Sequence, residues 1–274
     1  MTLIQAILLG IIQGLTEFLP ISSSAHLVLT PYLLGWEIPA DAAFVFDVLV
    51  QWGTLVAVIA YFWKDLYEIA RDSLVCLWER KPLRLPKARL GWYLILATIP
   101  AVLGGLLIKS AVEQAFDSPT ATALFLLVTA LLLFVAERYG RRTKPLKTLG
   151  WLDSLVIGLF QVLSLFPGVS RSGSTISGGM LRSLDRPSAA RFSFLMSVPV
   201  MIGAGVLAIK DLFDIPDFTS LVPPVLAGVI VAAIVGYFAI RWLLNYLSKR
   251  SLIVFAIYCV VLSAVTLLVG LVRG

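Results

Sequence analysis

An apolar segment over residues 3–35 is interrupted near its middle by the stretch Gln13-Gly-Leu-Thr-Glu-Phe-Leu-Pro-Ile-Ser-Ser-Ser-Ala-His26. A second apolar segment, over residues 150–184, is interrupted in the same way by Pro167-Gly-Val-Ser-Arg-Ser-Gly-Ser174. Backbone that is not helical is stable at membrane depth only where protein covers it or where it lines a wet cavity. The two segments therefore predict re-entrant helical hairpins, each with a polar tip inside a membrane.

The rest of the chain has the composition of a membrane protein. Of its 274 residues, 59% are apolar and 14% are charged, and the mean hydropathy is +0.94. One water-soluble core cannot bury that much hydrocarbon. Apolar stretches long enough to cross a bilayer lie near residues 42–64, 90–109, 119–138, 187–210, 221–243 and 251–272. The predicted fold is an all-α integral membrane protein with six transmembrane helices and the two hairpins.

The net charge of +6 raises the question of a nucleic-acid partner. The 22 Lys and Arg residues gather in short segments between the apolar stretches, which is typical of cytoplasmic loops and not of a basic groove. Cys76 and Cys259 are isolated and belong to no Cys or Cys/His cluster. We therefore expect no nucleic-acid partner, no disulfide framework and no zinc site.

The basic segments also predict the side of the membrane that each connection faces. Lys and Arg mark cytoplasmic connections, and they lie within residues 64–89, 138–147, 182–191 and 241–250. The alternate connections are acidic and carry Glu37, Asp41, Glu113, Asp117, Asp211, Asp214 and Asp217. This pattern predicts both termini on the outer face, with the first hairpin entering from outside and the second from the cytoplasm.

The two halves of the chain are similar to each other. A shift of 148 residues aligns small and polar residues of the two hairpins: Gly10 with Gly158, Gln13 with Gln161, Ser22 with Ser170, and Ser24 with Ser172. Each half, 1–149 and 150–274, contains one hairpin and three spans, and an odd number of crossings gives the halves opposite orientations. Such an inverted-topology repeat predicts one membrane domain with its functional site near the midplane, where the broken helices meet.

The first tip carries a carboxylate. Gln13 and Glu17 are four residues apart on the helix that leads into it, so both side chains lie on one face. A carboxylate inside a bilayer costs roughly 2.5 to 3.5 kcal/mol or more when it is unpaired, and it commonly marks a functional pathway. The alternatives are a Glu at the interface and a structural hydrogen bond to the opposite hairpin. Three serines at 22–24 precede His26, the single histidine; serine runs are commonly turns or caps, and a lone histidine is commonly structural.

The second tip centres on Arg171, with flanking serines and glycines and a helix predicted to begin near Thr175. A guanidinium, hydroxyls and the N–H groups of a helix N-terminus form an anion site suited to phosphate. The alternative is a helix cap with Arg171 reaching the cytoplasmic interface. Together the tips supply the groups used in metal-assisted hydrolysis of a phosphoanhydride, and the surrounding spans favour a substrate with a long lipid tail.

Residues 13–26 resemble the first signature of the bacterial undecaprenyl-diphosphate phosphatase family, also called bacitracin-resistance proteins. Residues 167–175 resemble its second signature. Supporting similarities are Gly53-Thr54, Tyr61-Phe-Trp-Lys-Asp65 and Ala190-Arg-Phe-Ser-Phe194, so the resemblance covers nearly the whole chain.

This resemblance implies an enzyme of the bacterial cytoplasmic (inner) membrane that converts undecaprenyl diphosphate to undecaprenyl phosphate and inorganic phosphate. The product is the lipid carrier of peptidoglycan synthesis, and its recycling gives bacitracin resistance. The implied cofactor is a divalent cation, Mg²⁺ or Ca²⁺, and the implied partners are a polyprenyl diphosphate and membrane lipids. Because the first hairpin is predicted to enter from outside, we expect the active site to open on the outer, periplasmic face.

The resemblance also implies roles for individual residues. Gln13 and Glu17 match an (E/Q)xxxE element that binds the metal, with Gln in place of one acid. Ser23 matches a proposed nucleophile, His26 its proton-transfer partner, and Arg171 a phosphate clamp. The remaining hydroxyls that we assign to phosphate binding are Ser22, Ser24, Ser170, Ser172, Ser174 and Thr175. The residues leave open whether Ser23, His26 or a water attacks phosphorus.

Two other functions are compatible with the pattern. Inverted repeats with broken midplane helices also occur in secondary transporters, so the alternative is a polyprenyl-phosphate flippase. A membrane scaffold would leave the polar tips unexplained. Small residues of the spans are suited to packing within one chain or between protomers, which keeps a homodimer open: Gly104, Gly105, Gly203 and Gly205.

Overall fold

The computed structural model describes residues 1–116, 118–212 and 218–273, and within these ranges the chain is helical, with no β-strand. The helices are α1 (Leu3–Thr16), α2 (Ser23–Leu34), α3 (Ala40–Tyr61), α4 (Trp63–Trp78), α5 (Pro86–Leu107), α6 (Lys109–Phe116), α7 (Pro119–Tyr139), α8 (Trp151–Leu163), α9 (Arg171–Leu181), α10 (Arg186–Leu212), α11 (Phe218–Leu247) and α12 (Ile253–Arg273). A 3₁₀ turn at Leu146–Thr148 precedes α8. The predicted all-helical class is confirmed.

Six of these helices are long and apolar enough to cross a membrane, as the sequence predicts: Asp41–Tyr61, Pro86–Leu107, Pro119–Tyr139, Arg186–Val206, Leu221–Leu247 and Ile253–Arg273. Only 22% of the most apolar part of the Leu221–Leu247 helix is buried inside the protein. Its remaining apolar surface faces outward and requires an apolar surrounding. The architecture is therefore that of a multi-pass membrane protein.

Two helices lie in segments that the sequence analysis treats as connections. α4 follows α3 directly, packs against α5 and buries Ile69 and Cys76, while Trp78 is exposed. The short α6 follows α5. α4 was missed because its Lys and Arg residues mark the segment as a basic loop, although charge by itself does not exclude an amphipathic helix. Of the acidic positions predicted on the outer face, Asp117, Asp214 and Asp217 lie outside the described residues.

Both interrupted segments break where their Pro, Ser and Gly clusters lie. α1 ends at Thr16 and α2 begins after Ser22, which has a φ of 69° and accepts a hydrogen bond from the N–H of Ala25. α9 begins after Ser170, which caps it by accepting from the N–H of Gly173. The prediction of a helix start near Thr175 is therefore wrong by one turn, because the Ser170 side chain satisfies the orphan N–H groups earlier in the sequence.

The packing of the short apolar helices depends on glycine. α1 packs on α11, and α8 packs on α5. A Cβ added to Gly10 would lie 2.6 Å from the carbonyl oxygen of Gly228, and one added to Gly158 would lie 2.5 Å from that of Ala97. In both pairs the two backbones are in contact, so a larger side chain does not fit without movement of one helix.

Hydrogen bonds and ion pairs link the basic segments to one another and to their neighbours in the chain. Residue 143 on one segment and residue 183 on another are joined by a backbone hydrogen bond. Glu137, at the end of α7, accepts hydrogen bonds from Arg186 and from the backbone N–H of Leu252. Asp65 on α4 pairs with Arg191 and Lys87. Three of the four basic segments, 64–89, 138–147 and 182–191, are therefore in contact, and the fourth, 241–250, lies just before Leu252, which bonds to Glu137.

Asp65 is the acidic centre of its part of this network. Burial alone raises the pKa of the Asp65 carboxyl, but hydrogen bonds from Arg191 and Lys87 outweigh burial and hold the pKa below its ordinary value. The carboxylate therefore stays ionised between two cations and links α4 to α10 and α5.

Candidate active site

The two polar tips meet in one cavity of about 210 Å³. The first interrupted segment lines it with Gln13, Glu17, Ser22, Ser23 and Ser24, and the second with Gln161, Ser164, Ser170 and Arg171. Residues of α3, α5, α6 and α10 complete its wall. The tips are also joined directly: the N–H of Gly168 donates to Ser22 Oγ at 3.2 Å, and Ser172 Oγ donates to the carbonyl of Leu19 at 2.9 Å.

Glu17 is the centre of the polar cluster. Its Oε1 accepts a hydrogen bond from Arg171 Nη2 at 2.5 Å. Its Oε2 accepts from Ser23 Oγ at 2.6 Å and from Gln13 Nε2 at 2.9 Å. The side chains of Glu17 and Arg171 are 9% and 14% exposed, so the ion pair is largely withdrawn from solvent. Such a pair is maintained only where further hydrogen bonds compensate its desolvation, as Ser23 and Gln13 do here.

Several buried polar atoms near the cavity have no hydrogen-bond partner among the described residues. They are Gln13 Oε1, Gln161 Oε1 and Arg171 Nη1. An unsatisfied buried polar atom costs about 1–3 kcal/mol. Because all three residues line the cavity, a bound ligand would recover this free energy. The cavity therefore offers one vacant guanidinium donor and two vacant amide acceptors.

The predicted phosphate-binding hydroxyls divide into two groups. Ser22, Ser24 and Ser170 line the cavity. Ser22 and Ser170 are also the N-caps of α2 and α9, so the alternative of cap chemistry applies to both. The other three hydroxyls are not part of the cavity lining: Ser172, Ser174 and Thr175.

These three side chains have structural partners instead. Ser172 bonds to the first tip, as described above. Ser174 Oγ donates to the carbonyl of Ser170, and Thr175 Oγ1 lies 2.6 Å from Ser193 Oγ. They support the wall of the cavity and contribute to its geometry through α9 and α10.

His26 is held away from the cavity lining. Its Nδ1 lies 2.7 Å from the carbonyl of Ser22, and its Nε2 lies 2.7 Å from the hydroxyl of Tyr258 on α12. A carbonyl only accepts, so Nδ1 carries the proton, and in the neutral ring Nε2 accepts from Tyr258. The residue is 8% exposed. Both nitrogens are thus engaged, and sequence reasoning missed the partner Tyr258.

Sequence reasoning also missed Asp47 and Gln51, which lie one helical turn apart on α3 and line the same cavity. A signal for Asp47 exists in the sequence, because an acidic residue within an apolar span usually faces a cavity or a partner. The broken segments, with their serine and glycine clusters, gave the stronger pattern. Asp47 adds a second carboxylate to a site whose first signature contains only one.

An enclosed cluster of carboxylates, amides, hydroxyls and a guanidinium inside a bundle of apolar helices defines a polytopic membrane protein with a buried polar site. The chain belongs to the family described as bacitracin resistance protein BacA, whose model matches residues 6–265.

Relatives with matching length are named undecaprenyl-diphosphatase. One from Moorella thermoacetica is 44% identical over 264 residues, which cover 96% of each chain. Another from Gemmatimonas aurantiaca is 46% identical over 265 residues and covers 97% of each chain. A third relative, from Methanosphaera stadtmanae, is 39% identical over 279 residues, covering 98% of this chain and 99% of its own. The family resemblance found in the two signatures is thereby confirmed over nearly the whole chain.

Proposed function

We propose that this chain is an undecaprenyl-diphosphatase, which hydrolyses undecaprenyl diphosphate to undecaprenyl phosphate and inorganic phosphate. The product returns to peptidoglycan synthesis as a lipid carrier, and its supply gives resistance to bacitracin. Family membership and the names of the relatives support the reaction. The observation that carries it in this molecule is the cluster of Glu17, Ser23 and Arg171, which joins a base, a hydroxyl and a guanidinium in one cavity.

The Ser23–Glu17 hydrogen bond favours Ser23 as nucleophile over His26, whose two nitrogens are occupied outside the cavity lining. Glu17 Oε2 takes the proton of Ser23 Oγ as Oγ bonds to the terminal phosphorus. The bridging P–O bond breaks, and undecaprenyl phosphate leaves. Water then attacks the phosphoserine, the P–Oγ bond breaks, Ser23 regains its proton from Glu17, and inorganic phosphate is released.

Arg171 binds the terminal phosphate in this proposal. Its Nη2 is paired with Glu17, while its Nη1 has no partner among the described residues. Nη1 can therefore donate to a phosphate oxygen while Nη2 still holds the base. A preorganised donor of this kind stabilises the charge that develops on the transferring group.

A divalent cation, Mg²⁺ or Ca²⁺, fits the donor set of the cavity. Glu17 and Gln13 would hold it, and the vacant Oε1 of Gln13 is a hard oxygen ligand. The described residues contain no group of three or more His, Cys, Asp or Glu that could hold a metal by themselves, so amide and substrate oxygens would complete the coordination. When bound, the cation supplies positive charge beside the phosphates.

The inverted repeat is supported by two equivalent contacts between the halves 1–149 and 150–274, in each of which the first helix of one half packs on a span of the other half. α1 packs on α11 as α8 packs on α5, and the close contacts lie at Gly10 and Gly158, which the 148-residue shift aligns. Ser22 and Ser170, also aligned, cap α2 and α9. In this arrangement each interrupted segment is a re-entrant hairpin.

The contacts that link the basic segments support a shared, cytoplasmic position for them in the inner membrane. Both termini and the mouth of the active site then face the periplasm. Of the four glycines that keep a homodimer open, Gly104 and Gly205 already pack against Val162 and Trp52 of the same chain. Only Gly203 has open space around it, so it alone of the four supports a contact with a second protomer.

The reaction is tested by measuring phosphate release from undecaprenyl diphosphate by the purified protein in detergent, with and without a chelator. We expect release that stops on chelation and resumes when Mg²⁺ or Ca²⁺ is added back. Absence of release under both cations would overturn the proposal. Lipid-phosphate translocation in sealed vesicles that continues while hydrolysis is blocked would favour the flippase instead.

A further inference from the structure

Two buried glutamine amides face the cavity from opposite halves of the chain. Gln13 and Gln161 are 0% and 1% exposed, and the 148-residue shift aligns them. Gln13 Nε2 donates to Glu17 Oε2 at 2.9 Å, and Gln161 Nε2 donates to the carbonyl of Ala97 at 3.5 Å. Both partners can only accept, so the NH₂ group of each amide is fixed in place. The Oε1 atom of each is consequently an acceptor without a partner among the described residues.

Asp47 contributes a carboxylate to the same cavity from α3. The other carboxylate, Glu17, already accepts three hydrogen bonds, from Arg171, Ser23 and Gln13. The negative charge of Glu17 is therefore largely balanced. Asp47 and the two amide oxygens thus add hydrogen-bond acceptors to the lining of the cavity, and Arg171 Nη1 adds a donor.

The phosphate groups of the substrate cannot satisfy these acceptors. A diphosphate at neutral pH is itself an acceptor of hydrogen bonds, and it suits Arg171 Nη1. Amide and carboxylate oxygens that face a phosphate require a positively charged group between them. Hard oxygen ligands of this kind bind Mg²⁺ and Ca²⁺.

We propose that Gln161 and Asp47 join Gln13 and Glu17 as ligands of the divalent cation, so that both halves of the chain hold it; this inference rests on the proposed function. In this arrangement Asp47, on a helix outside both signatures, supplies the second carboxylate that Gln13 does not provide. The arrangement also gives a reason for the matched positions of Gln13 and Gln161, since each presents an amide oxygen to a cavity at the junction of the halves.

The test measures Ca²⁺ binding by titration calorimetry on the full chain in detergent, without substrate, so it does not depend on turnover. We expect Gln161→Leu and Asp47→Asn each to raise the Kd for Ca²⁺ at least tenfold. Gln161→Glu keeps the shape of the side chain and adds a charge, so it should bind Ca²⁺ as tightly as the unmodified chain or more tightly. Asn245→Leu removes an exposed amide far along α11 and serves as the matched control with unchanged Kd.

Two outcomes would overturn the inference. One is an unchanged Kd in both Gln161→Leu and Asp47→Asn. The other is weaker binding in a folded Gln161→Glu, which would mean that the position does not face a cation. Melting temperatures without Ca²⁺ establish that each variant is folded, and Gln161→Glu keeps the test decisive where Gln161→Leu does not fold. Failure of the proposed function would be seen separately, as Ca²⁺ binding by the unmodified chain without phosphate release.

Discussion

Arg171 and Glu17 are 154 residues apart in the chain, yet Arg171 Nη2 donates a 2.5 Å hydrogen bond to Glu17 Oε1. The pair joins the tips of the two interrupted segments at a point that is largely closed to solvent. One ion pair therefore has two effects: it connects the halves of the fold and it positions the base beside Ser23. Two further hydrogen bonds join the same segments, each between a side chain of one and the backbone of the other: Gly168 N–H to Ser22 Oγ, and Ser172 Oγ to the carbonyl of Leu19.

Removing Arg171 should abolish turnover. In Arg171→Ala the transferring phosphate loses its donor, and we expect kcat to fall about 100-fold or more. Arg171→Lys keeps the charge but carries all its N–H donors on one nitrogen, so it cannot reproduce the spacing by which Nη2 holds Glu17 and Nη1 faces the phosphate, and it should also be strongly impaired. Phosphate release at saturating substrate measures both. Arg273→Ala, which removes an exposed guanidinium bonded to the Tyr32 carbonyl, is the control, and full activity in Arg171→Ala would contradict the clamp.

Ser23→Ala should distinguish the nucleophile. We expect a loss of about 1,000-fold or more in kcat, because the covalent route is closed. Ser24→Ala should lose about tenfold or less, since Ser24 Oγ contacts Ser22 Oγ and not the base. Acid-quench trapping with labelled substrate should give a phosphoserine in the unmodified chain and none in Ser23→Ala. Retention of most of the activity in Ser23→Ala would assign the attack to water.

His26 and Tyr258 should behave as one unit. Their 2.7 Å hydrogen bond predicts that Tyr258→Phe and His26→Ala each lower the free energy of unfolding by about 0.5–1.5 kcal/mol beyond any loss of packing. The double variant should be less destabilised than the sum of the two, with a coupling energy near ~1 kcal/mol. Thermal unfolding of the four proteins in detergent completes the cycle. Additive losses would mean that the bond contributes nothing in solution.

The sequence was sufficient to predict the features that depend on residues close together in the chain, such as the positions of the helix breaks. Helix breaks at residues 17–22 and 164–170 follow from clusters of Pro, Ser and Gly, which favour turns and caps within about six residues of chain. The closeness of Glu17 to Arg171 was predicted only through the repeat, which placed both tips at the midplane. Each residue by itself marked its own tip as a candidate site, but only the symmetry of the two halves predicted that the tips share one pocket.

What the sequence did not reveal depends on tertiary contacts. Tyr258 lies 232 residues from His26 on an ordinary apolar helix, and nothing in its neighbourhood marks it as a partner. The sequence around Thr175 likewise does not reveal its partner Ser193, to which the Thr175 hydroxyl bonds outside the cavity lining. Residue type suggested phosphate binding for Thr175, whereas the direction of a side chain on α9 is set by the packing of α10.

The basic end of the bundle should lose stability in acid. The folded pKa of Asp65 lies below its ordinary value, so its ion pairs stabilise the fold fully above that ordinary value, about 4. The contribution of these ion pairs is lost as the pH falls from the ordinary pKa of an aspartate through the lower pKa that Asp65 has in the folded protein. We expect the melting temperature of Asp65→Asn to decrease less over this acid range than that of the unmodified chain. Glu79→Gln, in a more exposed pair with Arg84, is the control and should keep the acid dependence; equal curves for all three would contradict the role of Asp65.

The glycine contacts between the halves give a test of the packing that is independent of catalysis. Gly10→Ala would place a Cβ 2.6 Å from the Gly228 carbonyl oxygen, and Gly158→Ala would place one 2.5 Å from that of Ala97. Because both neighbours are backbone atoms, the helices must separate, and we expect each variant to lose about 1–3 kcal/mol of stability. Gly203→Ala meets nothing within 4 Å and should be neutral or slightly stabilising, as alanine is the better helix former. Thermal unfolding in detergent measures all three, and equal melting temperatures for Gly10→Ala and Gly203→Ala would show that α1 and α11 are not in close contact.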